Sequence, residues 1–430
     1  MKPLPFEGVR VADLSMMWAG PFATKLLGEQ GAEVLKIESP SAWDNIRTLI
    51  PQPGKPDPWN SSYYFNTYNR AKQSVTLDLA QARGRQVFLE LLAHCDVLVE
   101  NYRADVLDKL RLGYDILQAA NPQLIIVSMA GFGKTGPDRA LVGFGPVIEQ
   151  MSGLTSLTGY DGEDVPYKCG VSYGDPVAGV AAAGAVVLGL LQRRRTGAGM
   201  VVDLAQREVA ATLAGSAFVA AARDPEVVHH GNRHPQGAVA PRGCYRCADE
   251  ARPDRTAGYN LLPARPFDEQ WIAVSVLDDT MWSAFAGLLE RPEWSALTLA
   301  ERLARHDELD DAIATWCAPL DATEAVALLR DHGIASSRVL DTVAIHDDPH
   351  LRSRGFWVEL EHPRMPADWK QPGVAWRSVQ SGRRLDRPAP LFGEHTRSVL
   401  RALLGYDEAQ LEELHAAAVI GDEPINPGVG

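Results

Sequence analysis

One carboxylate stands where this sequence could do covalent chemistry. Residues 170–179 read GVSYGDPVAG, with Asp175 between Gly174 and Pro176 and an Ala/Val/Gly run directly behind it. A carboxylate just ahead of a helix meets backbone N–H groups that have no partner inside the helix. Those groups can hold the carboxylate ionised and oriented, and can also steady an oxyanion, which makes Asp175 a candidate nucleophile. Asp at the N-cap with Pro at the first helical position is equally an ordinary helix start. From this stretch alone both readings stand.

The elements that must position Asp175 can be read from the preceding half of the chain. Val9–Leu14, Glu33–Ile37, Ser74–Leu79, Asp96–Glu100 and Leu124–Met129 read as strands, with helices at Phe22–Gln30, Gly84–His94, Ala104–Leu110 and Tyr114–Ala120 between them. Strands alternating with helices imply βαβ units and a parallel, Rossmann-like sheet. The loop after the first strand, Trp18-Ala19-Gly20-Pro21, is not GxGxxG, so no dinucleotide site is read there. In such sheets ligands lie beyond the carboxyl ends of the strands. Lys36, Arg70, Lys72, Arg103, Lys109, Lys134 and Arg139 fall near those ends, and a basic set there would suit an anionic small molecule such as a nucleotide phosphate. The alternative is solvated surface charge.

Behind Asp175, Val177–Arg195 and Asp203–Ala222 read as two long helices of small residues, suited to close packing in a core or at a subunit interface. Composition then changes. Gly243–Cys247 and Trp271–Ser275 read as strands, and four helices follow up to His332. Ser336–Val339 reads as a return link, Trp357–His362 and Val374–Arg377 as late strands, and Glu394–Leu404 and Glu408–Ala418 as closing helices. The expected organisation is α/β: a large Rossmann-like part at 1–222, a linker at 223–235, a smaller α+β domain at 236–335, and a return to the large domain over 336–430.

The whole chain has 430 residues, is 46% hydrophobic and carries a net charge of −13. That excess of acid argues against general nucleic-acid binding. Five scattered cysteines do not suggest a disulfide framework. Cys244 and Cys247 form a CxxC without a second pair. Structural zinc would need further ligands such as His229, His230 or His234, and two ordinary thiols are the simpler expectation, so no metal is assigned. No apolar signal-peptide core is seen at the start, and the apolar run Val177–Leu191 is shorter than the roughly 20 residues that span a bilayer. A soluble cytoplasmic protein is expected.

The sequence also resembles a known family. WAGPFATKLLGEQGAEVLKIESP (18–40), YNRAKQSVTLDL (68–79), VLVENYR (97–103), SMAGFGKTGP (128–137), SYGDPVAG (172–179), RRRTGAGMVVDLAQ (193–206), GNRHP (231–235) and LFGEHTRSVL (391–400) occur in an order similar to that of the family III CoA-transferases. That family includes formyl-CoA transferase, carnitine CoA-transferase and alpha-methylacyl-CoA racemase. The wording is most similar to the benzylsuccinate CoA-transferase-like branch. The resemblance implies a Rossmann-like domain built from both chain ends, a small inserted domain and an interlocked homodimer. It implies CoA transfer from an acyl-CoA to a carboxylic acid through an aspartyl anhydride and an aspartyl thioester. No cofactor would be tightly bound, coenzyme A entering as the acyl-CoA substrate.

By position the resemblance implies Asp175 as nucleophile and CoA contacts at Met17, Ala19, Lys72, Asn101, Tyr102, Arg103, Lys109 and Leu110. A phosphate-gripping arginine after the second strand of formyl-CoA transferase is matched here by Ser39, so Lys72, Arg103 or Arg47 would take over. Trp18 stands where that enzyme has a glutamine, which implies a bulkier apolar acyl pocket. The racemase branch needs a histidine where this chain has Phe144, and no histidine lies between His94 and His229. A second acid/base is required to move a proton on both faces of a carbon. A glutamate of formyl-CoA transferase is matched by Pro146, with Glu149 nearby on an expected helix. A racemase, or a CoA-binding subunit of a heteromer, remains the alternative. No counterpart of the family's glycine loop is found in 235–265.

Overall fold

The computed structural model describes residues 3–52, 54–161, 163, 165–223, 230–251 and 267–425. Six strands form one parallel sheet: β1 (Arg10–Asp13), β2 (Glu33–Glu38), β3 (Lys72–Thr76), β4 (Val97–Glu100), β5 (Ile125–Ser128) and β6 (Met200–Asp203). Their spatial order is β3-β2-β1-β4-β5-β6. This is the doubly wound order, in which the winding reverses between β1 and β4 and leaves a crevice at their carboxyl ends.

Successive residues of each strand face opposite layers. Ala12, Leu35, Leu98 and Ile126 pack with Phe88 and Leu91 of helix α3 (Ala82–Leu92) and with Leu400 and Leu411 near the C-terminus. Val11, Val34, Val97 and Ile125 face the other way, onto Ala23 and Leu27 of helix α1 (Ala19–Glu29) and Ala178, Ala182 and Val186 of the helix Gly174–Thr196. Each fully buried valine, leucine, isoleucine or phenylalanine among them contributes about 1.5–3 kcal/mol. The C-terminal segment is tied to the sheet edge. The His395 N–H donates to the Ser74 carbonyl, and the Thr76 N–H donates to Thr396 Oγ1, both at 2.9 Å.

The helix Gly174–Thr196 is long and apolar enough to cross a membrane by length and composition. Its buried face lies instead on the sheet and on α1. A Cβ at Gly189 would come within 2.6 Å of Ile125, and one at Gly179 within 2.7 Å of the Ala19 carbonyl oxygen. Only glycine permits that approach.

Two parts of the sequence reading are corrected around this sheet. The sixth strand, Met200–Asp203, was not expected, and the helix read over Asp203–Ala222 is two shorter ones, Gln206–Thr212 and Gly215–Arg223. The strand is only four residues long, too short for an alternating pattern to declare itself, and pairing with β5 decides it. The late strand read at Val374–Arg377 is found at Lys370–Pro372, antiparallel to Trp357–Glu359. Gly373 then donates its N–H to the Phe356 carbonyl and ends the pairing.

The chain divides into two compact units, one of Met1–Ser156, Tyr167–Pro225 and Arg352–Gly430, the other of Leu157–Pro166 and Glu226–Leu351. The second unit has an antiparallel sheet with Trp271–Ser275 between Arg242–Arg246 and Ala335–Arg338. The segment read as a return link from Ser336 is therefore a strand; its polar sequence, Ala-Ser-Ser-Arg, hid it. Four helices cover this sheet: Asp279–Leu288, Leu299–Ala304, His306–Cys317 and Ala322–Asp331. Trp282, Phe285, Leu309, Ile313 and Leu329 are buried at its core. The two CxxC thiols diverge. Cys244 is exposed, whereas Cys247 is buried and shares a hydrogen bond with Cys317. Among the described residues no three potential ligands gather to hold a metal; His229 lies outside those residues.

Candidate active site

Asp175 is the second residue of its helix. Tyr173 occupies the N-cap, and no side chain caps the helix start. The N-cap reading of Asp175 is thereby set aside. So is the expectation that helix N–H groups hold its carboxylate ionised. Burial, and after it the charge of Glu149, pushes the Asp175 carboxyl from 3.8 up to about 7. Among the described residues no hydrogen-bond donor or cation reaches that carboxylate to oppose the rise.

Glu149 lies on the helix Gly145–Met151 and is 2% exposed. It accepts the backbone N–H of Tyr173, so this carboxylate, not Asp175, satisfies a donor at the helix start. Gly145 makes the approach possible. A Cβ there would stand 2.1 Å from Asp175 Oδ2 and 2.4 Å from the Ser172 Cβ. The two carboxylates therefore act on each other at the head of one helix, and the glycine at 145 leaves room for the Asp175 side chain. Phe144, which precedes Gly145, is 58% exposed and accepts the Val147 and Ile148 N–H groups through its carbonyl oxygen.

The loop after β1 supplies the next wall. Trp18 stands just ahead of α1, which crosses the Asp175 helix at Gly179, one turn beyond Asp175. The Trp18 ring lies 5.2 Å from Tyr68 and 6.1 Å from Tyr64, both from helix α2 (Tyr63–Tyr68). Burial raises the Tyr68 phenol above its ordinary range, and the nearby charges of Tyr64 and Asp175 add to this. Sequence reading did not single out Tyr64 and Tyr68, because no spacing in the chain ties residues 64 and 68 to residue 175.

This loop is held by a buried polar network at the reversal between β1 and β4. Met17 has φ +65°, unusual for a residue other than glycine. Its N–H donates to Asp44 Oδ1 at 2.8 Å. Asn101 clamps Met16 in both directions, accepting its N–H and donating to its carbonyl oxygen, each at 2.7 Å. Lys36 bridges Asp44 and the Ser15 carbonyl.

Several residues expected to touch CoA are committed elsewhere. The three Nζ protons of Lys72 go to Asp13, the Pro21 carbonyl and Asn69 at 2.8–3.0 Å, and the side chain is buried. Lys72 therefore has no donor left for a phosphate. Burial alone would raise the Asp13 carboxyl, but Lys72 and Lys36 hold it below the ordinary carboxylate range. Arg47, the other candidate substitute, is fully buried, bidentate to Glu38 and stacked 3.4 Å from the Phe65 ring centre. Asn101 braces the loop through both its amide atoms. Ala19 is buried, and Met17, Tyr102 and Leu110 are half-buried. Arg103 and Lys109 remain at the surface, each 2.6 Å from the carboxylate of Asp105. Of the seven basic residues noted near the strand ends, only Arg139 has no carboxylate partner among the described residues. Buried ion pairs, not a phosphate cradle, absorb most of that set.

Residues 6–396 match the family described as CoA-transferase family III. The chain is 31% identical to the succinyl-CoA–D-citramalate CoA-transferase of Chloroflexus aurantiacus, over 97% of this chain and 98% of that one. It is also 31% identical to the succinyl-CoA:glutarate CoA-transferase of Mus musculus, over 98% and 91%. The chain belongs to CoA-transferase family III. A CAIB/BAIF family protein from Brucella suis has the same fold, with a TM-score of 0.81 and 26% identity, covering 94% of this chain and all of that one. The Chloroflexus aurantiacus and Mus musculus relatives are both named as CoA-transferases of succinyl-CoA. In this transferase the carboxylate pair, the aromatic wall and the braced loop all lie in one compact unit.

Proposed function

We propose that Asp175 is the nucleophile of a CoA transfer from an acyl-CoA to a carboxylic acid. The observation that carries this reading is a half-buried carboxylate that, among the described residues, has no capping bond and no cation, and that lies beside a second carboxylate at the start of a helix. An Asp175 oxygen attacks the thioester carbonyl; the C–S bond breaks and CoA leaves as thiolate, giving a mixed anhydride. The thiolate then attacks the aspartyl carbonyl, forming an aspartyl thioester and releasing the donor acid. The acceptor carboxylate attacks that thioester and again expels CoA thiolate. Attack of the thiolate on the acceptor's acyl carbon forms the new acyl-CoA and restores Asp175. Each covalent stage divides one difficult exchange into easier ones. The proximity of Glu149 disfavours a lasting charge on Asp175, which raises the basicity of the attacking oxygen.

Coenzyme A lies across the crevice at the β1–β4 reversal in this reading, near Met17, Tyr102 and Leu110. Arg103 and Lys109 are the exposed cations nearest that crevice in sequence, and they are the phosphate contacts in this reading. The enzyme works as a cytoplasmic homodimer. Support comes from an apolar stripe on the Asp175 helix: Val180, Val187, Leu188 and Leu191 are each between 41% and 58% exposed. Contiguous exposed apolar surface of this kind marks an interface.

The test is mass spectrometry of the full chain with a panel of acyl-CoAs, followed by hydroxylamine trapping. A mass change on the peptide carrying Asp175, lost in Asp175→Ala with the fold intact, is the expected result. An unchanged exchange rate in Asp175→Ala would remove the assignment. Deuterium uptake from heavy water at an α-carbon, without any trapped adduct, would point to racemisation.

A further inference from the structure

We propose that a cavity at the amino edge of the large sheet binds a phosphate-bearing ligand with a flat ring, of the nucleoside diphosphate class, away from the crevice at the β1–β4 reversal. The site is independent of the role of Asp175.

The cavity has a volume of about 490 Å³, within the size range of small-molecule sites, and every residue lining it belongs to the first compact unit. Helix α1 fixes its position. That helix starts beside Trp18 at the carboxyl end of β1, and its 11 residues carry the chain about 16 Å to the opposite edge of the sheet. Gln30 follows, lines the cavity, and accepts the Phe6 N–H ahead of β1 through its carbonyl oxygen. The facing wall comes from the C-terminal part of the unit. There the Gly382 N–H donates to the Pro3 carbonyl at 3.2 Å and the Arg384 N–H to the Glu29 carbonyl at 2.7 Å, which ties this loop onto the end of α1. Ser378 Oγ accepts the N–H groups of Gln380 and Ser381, at 3.2 and 2.9 Å, and holds the loop in shape.

The lining defines the ligand. Arg354, Arg377 and Arg383 are exposed there, and among the described residues none of the three has an ion pair or a side-chain hydrogen bond. A Cβ at Gly355 would stand 3.7 Å from Arg377 Nη2, so this guanidinium lies against the turn that carries Arg354. No carboxylate lines the cavity, and the neighbouring Glu29 is buried and paired with Lys25 and Arg70. Three uncompensated guanidinium groups in a chain of net charge −13 form a local anion site. The Gln30 side chain is 8% exposed and makes no hydrogen bond among the described residues. Such an amide is completed by an oxygen brought from outside the protein. Trp376, next to Arg377, is 47% exposed, which leaves indole surface open to a stacked ring beside the phosphates.

The experiment is isothermal titration calorimetry of the full chain with ADP, pyrophosphate and inorganic phosphate. Coenzyme A itself contains an adenosine diphosphate, so the titrations are made with CoA saturating and without added divalent cations. One ADP is expected to bind per chain, with a Kd of about 100 µM or tighter, and inorganic phosphate more weakly. Arg377→Gln and Arg383→Gln should each weaken ADP about 5- to 10-fold, which is what one charged contact at an exposed site supplies. Arg194→Gln, which removes an exposed arginine from the end of the Asp175 helix, should leave ADP binding unchanged. Trp376→Ala should weaken ADP about 5-fold or more and leave pyrophosphate within about 2-fold. Far-ultraviolet circular dichroism reports whether the variants have folded. Absence of ADP binding up to about 5 mM overturns the site. So does ADP that only displaces CoA and is insensitive to Arg377→Gln. An ADP affinity unmoved by Trp376→Ala removes the flat ring from the ligand class. If the arginine variants instead change the oligomeric state in sedimentation and no ADP binds, the cavity is a subunit contact and the ligand site is refuted.

Discussion

Replacing Asp175 with asparagine should make the folded protein more stable than the wild type at pH 8, by a margin that shrinks as the pH falls toward 4. The Asp175 carboxyl is raised from 3.8 to about 7, by burial first and by Glu149 second. A carboxyl with a raised value in the fold binds its proton more tightly folded than unfolded. Its contribution is therefore fully present below about pH 4 and is lost as the pH climbs through about 7. At about 1.4 kcal/mol for each tenfold change, the gap corresponds to about 4 kcal/mol once the group is fully ionised. Partial solvent access reduces this, and about 2 kcal/mol is the expected gain for Asp175→Asn at pH 8. That corresponds to a thermal midpoint higher by on the order of 2–4 °C. At about pH 4 the carboxyl is protonated in the fold and only about half ionised in the unfolded chain, and the gap should shrink to about 0.5 kcal/mol or less. Paired thermal and urea unfolding curves at the two pH values measure it. A variant less stable than wild type at pH 8 would refute the reasoning. It would mean that the carboxylate is held ionised by helix N–H groups, as an N-cap is. An active-site residue whose removal stabilises the fold is the ordinary trade of stability for function.

Two further outcomes follow from the same geometry. Glu149→Gln removes the charge beside Asp175 but leaves its burial, so the acid limb of the exchange rate should move down by on the order of one pH unit without falling to 3.8; a pH–rate profile reads the shift, and an unmoved limb would mean the two carboxylates do not interact. Lys72→Met leaves the buried Asp13 without its direct ion-pair partner and should cost about 3–5 kcal/mol, seen as loss of soluble protein or a large drop in unfolding midpoint. A folded, stable Lys72→Met with only a raised KM for the acyl-CoA would restore Lys72 as a phosphate ligand.

How much of this could be read from the chain alone differs from residue to residue. The first five strands, the glycine turn after β1 and the place of Asp175 at the head of a long small-residue helix were legible, because each rests on local periodicity and turn chemistry. The family was legible for the same reason, its motifs being short and contiguous. Strands Met200–Asp203 and Ala335–Arg338 were not, since their pairing partners, and not their own patterns, make them strands. The basic residues misled. Lys72 and Arg47 stand near strand ends in sequence as a phosphate ligand would, yet the fold turns Lys72 inward to Asp13 and Arg47 inward to Glu38.

The sequence by itself determined that a carboxylate sits at the start of a long small-residue helix behind a Rossmann-like sheet, within a CoA-transferase chain. It did so because helix starts, strand alternation and glycine turns are written in neighbouring residues. Only the tertiary structure decided what surrounds that carboxylate. Glu149 comes from 26 positions upstream, Tyr68 from over 100, and Gly145 leaves the room that the Asp175 carboxylate occupies. Whether Asp175 is held ionised or kept near neutrality depends on those distant neighbours and on the water they exclude. Burial and Coulomb interaction act through space, and no spacing along the chain encodes them.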